Sequence, residues 1–171
     1  MPAFDATTAT CRVFTEKEGL LSRLAHDLEL DVTDFTVKAD GAAVEGTFNP
    51  RSLRVLHALK DGQPTSTLSD WDKRDIEGNL AREVLLSPTP IHFASSSIER
   101  TPGGGAKVTG TLTLNSRSRP VELAVRLEAG RFVTEFVLHQ LDWGIIPFSA
   151  MMGALTIKPE VRVRLSLPSW E

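Results

Sequence analysis

Polar and apolar residues alternate with a period of two over most of this chain. From Ser22 to Val32, one face carries Leu24, His26, Leu28, Leu30 and Val32, and the other carries Arg23, Asp27, Glu29 and Asp31. Successive side chains on a strand point to opposite faces, so this stretch predicts a strand with one buried and one wet face. Weaker or shorter versions recur at Thr10 to Thr15, Phe35 to Ala39, Val44 to Phe48, Ile91 to Ile98, Val108 to Leu114, Val121 to Leu127, Phe132 to Leu141 and Val161 to Leu167. Asp40-Gly41 between two such runs is a hairpin signal. Pro102 followed by three glycines reads as a hairpin tip, and Asn115 to Pro120 as a polar turn. Ser52 to Leu59 fits a strand and a helical turn about equally. With about nine strand candidates, short turns and neither a repeat nor a linker, the pattern predicts one all-β domain over residues 1–171. Antiparallel meanders stack as two sheets or close into a barrel, and periodicity does not choose between them.

One stretch breaks the rhythm. Between Ser69 and Ser87, Ile76, Leu80 and Val84 recur every four residues beside Leu85, an apolar stripe at helical spacing. Asp70 or Asp72 can cap its first N–H groups, and acidic residues gather near its N-terminus. Pro88 and Pro90 end it. A single amphipathic helix among strands predicts a lid or plug whose stripe faces whatever the sheet encloses.

Composition narrows the functional classes. A formal net charge of −3 and the lack of any Lys/Arg run give no electrostatic basis for nucleic-acid binding. No apolar run approaches the ~20 residues needed to span a bilayer as a helix. Cys11 is the one cysteine, so an internal disulfide is impossible. Met1 to Thr10 has neither the basic flank nor the apolar core of a signal peptide, which points to a cytoplasmic location. His26, His57, His92 and His139 are scattered without paired spacing, so neither a metal site nor a cofactor is expected. Nucleophile elbow, phosphate loop and dinucleotide fingerprint are all missing, and His26 and Asp27 point to opposite faces of one strand. Nothing here reads as an enzyme.

Five motifs, in order, carry a family likeness: Asp72-Lys73-Arg74-Asp75, Pro90-Ile91-His92-Phe93-Ala94-Ser95, Val108-Thr109-Gly110-Thr111-Leu112-Thr113-Leu114, Arg119-Pro120-Val121 and Leu141-Asp142-Trp143-Gly144-Ile145. From about Phe4 to Leu167 the chain resembles the YceI family, lipocalin-like proteins associated with polyisoprenoid binding. It departs from that family at Thr8, where many relatives have a His-Ser pair, and in the segment from Pro147 to Pro159. The resemblance implies an antiparallel lipocalin-like β-barrel around an elongated apolar cavity, with the amphipathic helix at one mouth. It also implies non-catalytic carriage, storage or sequestration of a polyisoprenoid or isoprenoid quinone, and a possible homodimer.

Three groups of residues are candidates for that role. The inward stripes are Leu24, Leu28, Leu30, Phe48, Phe93, Leu112, Leu114, Leu123, Val125, Phe132 and Phe136, joined by Ile76 and Leu80 of the helix. They are either a solid core or the wall of a cavity. The loop residues Trp143, Ile145, Phe148, Met151 and Met152, with Ile146, are too apolar for a solvated loop. They read as a lid, as core, or as a contact surface in a protein–protein module with a filled barrel. His26, in register with Leu24 and Leu28, is either a satisfied neutral imidazole or a hydrogen-bonding partner for a ligand headgroup.

Overall fold

The structure, a computed structural model, describes residues 1–19, 26–153 and 155–170. In chain order the elements are β1 (Ala3–Asp5), β2 (Thr10–Thr15), β3 (Lys17–Glu18), β4 (Asp27–Val32), β5 (Phe35–Ala39), β6 (Val44–Phe48), β7 (Leu53–Lys60), β8 (Gln63–Thr65) and α1 (Asp70–Asn79). Then follow β9 (Ile91–Arg100), β10 (Ala106–Leu114), β11 (Arg117–Glu128), β12 (Arg131–His139), β13 (Ser149–Ala150), β14 (Leu155–Ile157) and β15 (Glu160–Pro168). Every strand pairing is antiparallel.

Twelve strands form one sheet in the order β1-β5-β6-β9-β10-β11-β12-β15-β2-β4-β7-β8, and β13-β14-β3 form a small second one. The hydrogen-bonded order never returns to its start, yet covalent continuity brings its ends together. β4, near one end, runs through Thr33 and Asp34 directly into β5, near the other. β6 likewise passes through a 3-10 turn at Pro50–Ser52 into β7. The Thr33 N–H donates to the Ser52 carbonyl at 3.2 Å, and the Asn49 N–H to the Asp34 carbonyl at 3.0 Å, which fixes the crossing. The result is a strongly curled antiparallel sheet, the lipocalin-like fold with one helix.

Local sequence explains most of the boundaries. Leu28, Leu30 and Val32 of β4 are buried, while Asp27, Glu29 and Asp31 are half-exposed, matching the alternation. On that wet face Arg12 pairs with Asp31, and His57 Nε2 lies 2.6 Å from Glu29 Oε2. The residues 53–60, ambiguous by periodicity, are strand, because β4 offers them a ladder. The polar turn is tighter than the sequence predicts. Only Asn115 and Ser116, both at positive φ, make it, and Arg117 to Pro120 already belong to β11. A proline is tolerated in β11 because the far side of the strand has no partner at that height.

The helix also differs from expectation. Ser69 is its N-cap, not Asp70 or Asp72: the Ser69 hydroxyl accepts from the Asp72 N–H at 3.1 Å, and the Asp72 carboxylate accepts from the Ser69 N–H at 2.9 Å. This is a capping box, which satisfies two orphan donors reciprocally. Regular α geometry stops at Asn79, and Leu80–Val84 form a wider π turn, closed by the Leu85 N–H on the Leu80 carbonyl at 2.8 Å. The stripe therefore spans two helical geometries.

Candidate functional site

Reading across neighbouring strands shows how the inner wall is built. One layer comprises Leu30, Val13, Val163 and Phe136, directly opposite one another on β4, β2, β15 and β12. A second comprises Cys11, Leu165 and Thr134. Packing across the axis is incomplete: Phe136 belongs with the cluster of Phe93, Val108, Leu112 and Leu114, and Val13, Val163 and Leu165 with a cluster that takes in Val44 and Phe48. Between them lies a cavity of about 450 Å³, within the usual range for small-molecule sites. Its lining includes Leu28, Leu30, Phe48, Phe93, Leu112, Leu114, Leu123, Val125, Phe132 and Phe136. The inward stripes therefore line a cavity and also take part in the packed clusters around it.

The helix closes one end. Ile76, Asn79, Leu80, Val84 and Leu85 face the cavity, and Ile76 and Leu80 pack against the cluster of Leu28, Leu30 and Val55. Arg51 holds the helical segment from the crossing turn, donating to the carbonyls of Ala81 at 2.7 Å and Leu86 at 3.3 Å. At the opposite end Trp170 lines the cavity and packs on Phe132 at 4.5 Å between ring centroids, with Phe4 beyond it at 5.8 Å.

The wall splits between two neighbouring strands. β11 and β12 pair only where Val125–Glu128 meets Arg131–Thr134. Beyond that point the chain from Gln140 fills the gap. Trp143 and Ile145 are each 4% exposed, packed with Leu112 and Leu114, while the Asn115 amide donates to the Trp143 carbonyl at 2.9 Å. Gly144, at φ 68°, makes the reversal, and a Cβ there would lie 2.6 Å from the Arg117 guanidinium. Trp143 is thus part of the wall's filling and does not reach the lining, whereas Ile145 and Phe148 do. Met152, at φ 57°, is turned fully to solvent, and Ile146 is 76% exposed. The loop expected to act as one unit divides into a buried half and an exposed half. For Met151 only the backbone is described. Leu24 lies outside the described residues.

His26 borders the cavity but is exposed, so it sits at the mouth and not in the apolar interior. Sequence reasoning missed Cys11, Val13, Val37, Val161, Val163 and Trp170 as lining. The first five were visible as period-two stripes. Trp170, beyond the last alternating run, gave no signal. Burial pushes the Cys11 thiol up to about 12, with the Asp31 charge adding to the effect and Arg12 opposing it. Among the described residues no group of His, Cys, Asp and Glu is arranged to hold a metal, and no helix is long and apolar enough to cross a membrane.

An antiparallel, curled sheet around an apolar cavity, plugged by one helix, defines a lipocalin-like barrel. The chain belongs to the YceI-like family, whose domain matches residues 32–168. Among solved structures, it resembles BcnA of Burkholderia cenocepacia, with a TM-score of 0.67 and 15% identity over 95% of this chain and 97% of that one. The YceI protein of Campylobacter jejuni matches with a TM-score of 0.55 and 11% identity over 84% and 86%. At these identities the likeness concerns the fold. A search of curated protein sequences finds no match.

Proposed function

We propose that this protein binds a long apolar molecule, a polyisoprenoid or isoprenoid quinone, for carriage, storage or sequestration and without chemistry on it. One observation carries the reading: the inner stripes of facing strands line an apolar cavity of about 450 Å³. A chain buried there gains about 0.8 kcal/mol per CH₂, so a tail of modest length is held tightly with few polar contacts. Entry requires displacement of α1 with its π turn, or of the loop after Gln140, since these cover the end and the split in the wall.

Organic extraction of the purified protein followed by mass spectrometry tests this. A co-purifying long-chain lipid supports the proposal. A protein that is repeatedly empty, and that also fails to take up added isoprenoids, overturns it. It would favour a protein–protein module instead, a reading to which the exposed Leu141, Ile146 and Met152 lend some support.

A further inference from the structure

The polar atoms in the cavity wall are few, and most are already engaged. Thr134 Oγ1 donates to the Ala124 carbonyl at 2.9 Å, Thr156 Oγ1 to the Glu18 carbonyl at 3.2 Å, and Gln140 Nε2 to the Lys158 carbonyl at 3.2 Å. Thr15 is different. It continues the inward stripe Cys11, Val13, Thr15 on β2, it lies opposite Leu28, and its Oγ1 is buried without a hydrogen-bond partner among the described residues. A buried hydroxyl left unpaired costs free energy, so native structures seldom keep one unless something else completes it. The position fits such a role, because Thr15 stands at the helix end of the cavity, one strand from the mouth residue His26.

The lining also says what kind of group would complete it. Among the described residues its only Lys or Arg is Arg100. Following the register from Arg100 through Ala106, Val125, Thr134 and Leu165 leads to Cys11, four residues along β2 from Thr15. At ~3.3 Å per residue this is about 13 Å away along the strand. A phosphate or carboxylate beside Thr15 would therefore be a buried charge without a lining Lys or Arg beside it, which is strongly unfavourable.

Resting on the reading of the cavity as a binding site, we infer that Thr15 is the polar anchor of that site and recognises an uncharged oxygen of an apolar ligand. The ligand's hydroxyl or carbonyl head lies at the helix end, and its tail runs toward Trp170. Selectivity then comes from a single neutral hydrogen bond added to a length-dependent apolar grip.

The test compares three C20 isoprenoid probes, the alcohol, its phosphate ester and the hydrocarbon without the hydroxyl, each displacing a fluorescent apolar reporter from the full chain. The wild type should favour the alcohol over the hydrocarbon by about five-fold, the scale of one net hydrogen bond, and should bind the phosphate ester weakest. Thr15→Val keeps the side chain's shape and strand preference; it should remove the alcohol's advantage and leave hydrocarbon affinity unchanged, with Thr15→Ser restoring it. Equal alcohol affinity in wild type and T15V, or a preference for the phosphate ester, overturns the anchor while leaving the cavity a binding site. Failure of all three probes to displace the reporter removes both conclusions.

Discussion

The Glu77 side chain of α1 accepts a hydrogen bond from the Val55 backbone N–H at 3.0 Å. That N–H lies where β4 and β7 slip register between Glu29 and Leu30. The ladder is irregular there, and the helix supplies the acceptor for the Val55 donor. The same contact ties the plug to the wall. Glu77→Ala leaves the donor unpaired and should cost about 1–3 kcal/mol in chemical denaturation. Hydrogen exchange in α1 should accelerate more than exchange in β10 or β15. Uniform acceleration throughout the barrel would show that the contact is global and not specific to the plug.

If the cavity is the binding site, filling its waist should abolish binding without unfolding the protein. Val13 faces the cavity between Leu30 and Val163 and is only partly buried. Val13→Trp places an indole in that space and should lower isoprenoid affinity by at least ten-fold. Its midpoint of unfolding should stay close to that of the wild type, because the indole is accommodated by existing cavity space. A variant that binds as well as the wild type would place the ligand elsewhere.

Much of this architecture is legible in the sequence, and the exceptions share a cause. Leu28, Leu30, Val32, Val37 and Leu112 follow from period-two alternation, because a strand's two faces meet different environments. Alternation cannot say whether facing stripes touch, since a wall residue and a core residue carry the same hydrophobic signal; the family likeness, not the periodicity, pointed to a hollow barrel. Residues 53–60 were ambiguous because their form is decided by pairing with β4, a non-local contact. Trp143 misled for a related reason: an apolar loop residue looks alike whether it covers a ligand or fills a gap, and the gap between β11 and β12 is set by a register that no local pattern encodes. Thr15 was invisible as a site because one hydroxyl in a strand is unremarkable until its missing partner is seen.

Cys11 is a natural reporter on the cavity. Its thiol lines the wall, is 4% exposed, and is held near 12 mainly by burial against an ordinary value of 9.0. In the folded protein it keeps its proton across a pH range in which the unfolded chain loses it. A raised thiol pKa of this kind reduces stability as pH rises from about 9 toward 12. Cys11→Ala should therefore flatten the alkaline limb of the stability profile relative to wild type. At pH 8 the folded protein should react with iodoacetamide at least ten-fold more slowly than the urea-unfolded chain. Adding an isoprenoid should slow it further. Alkylation unaffected by a saturating isoprenoid would show that the ligand does not reach this part of the wall.

The capping box gives the plug a pH dependence of opposite sign. The Ser69 backbone N–H, then the Ser69 side chain, hold the Asp72 carboxyl below its ordinary value of 3.8, with a smaller contribution from the charge of His26. A carboxylate whose folded value is depressed stabilises the folded form above its unfolded value, and that contribution is lost as pH falls through the folded one. Acidification below 3.8 should thus loosen the first turn of α1 before the barrel strands respond. Because Ile76 and Leu80 of this helical segment close the cavity, dissociation of a bound isoprenoid, followed by stopped-flow fluorescence, should speed up over the same range. Asp72→Asn keeps a side-chain oxygen to accept from Ser69 but cannot titrate there, so it should bind normally and lack the acid-induced acceleration. Coincident pH profiles for wild type and D72N would mean that release occurs by another route, through the loop that fills the split between β11 and β12.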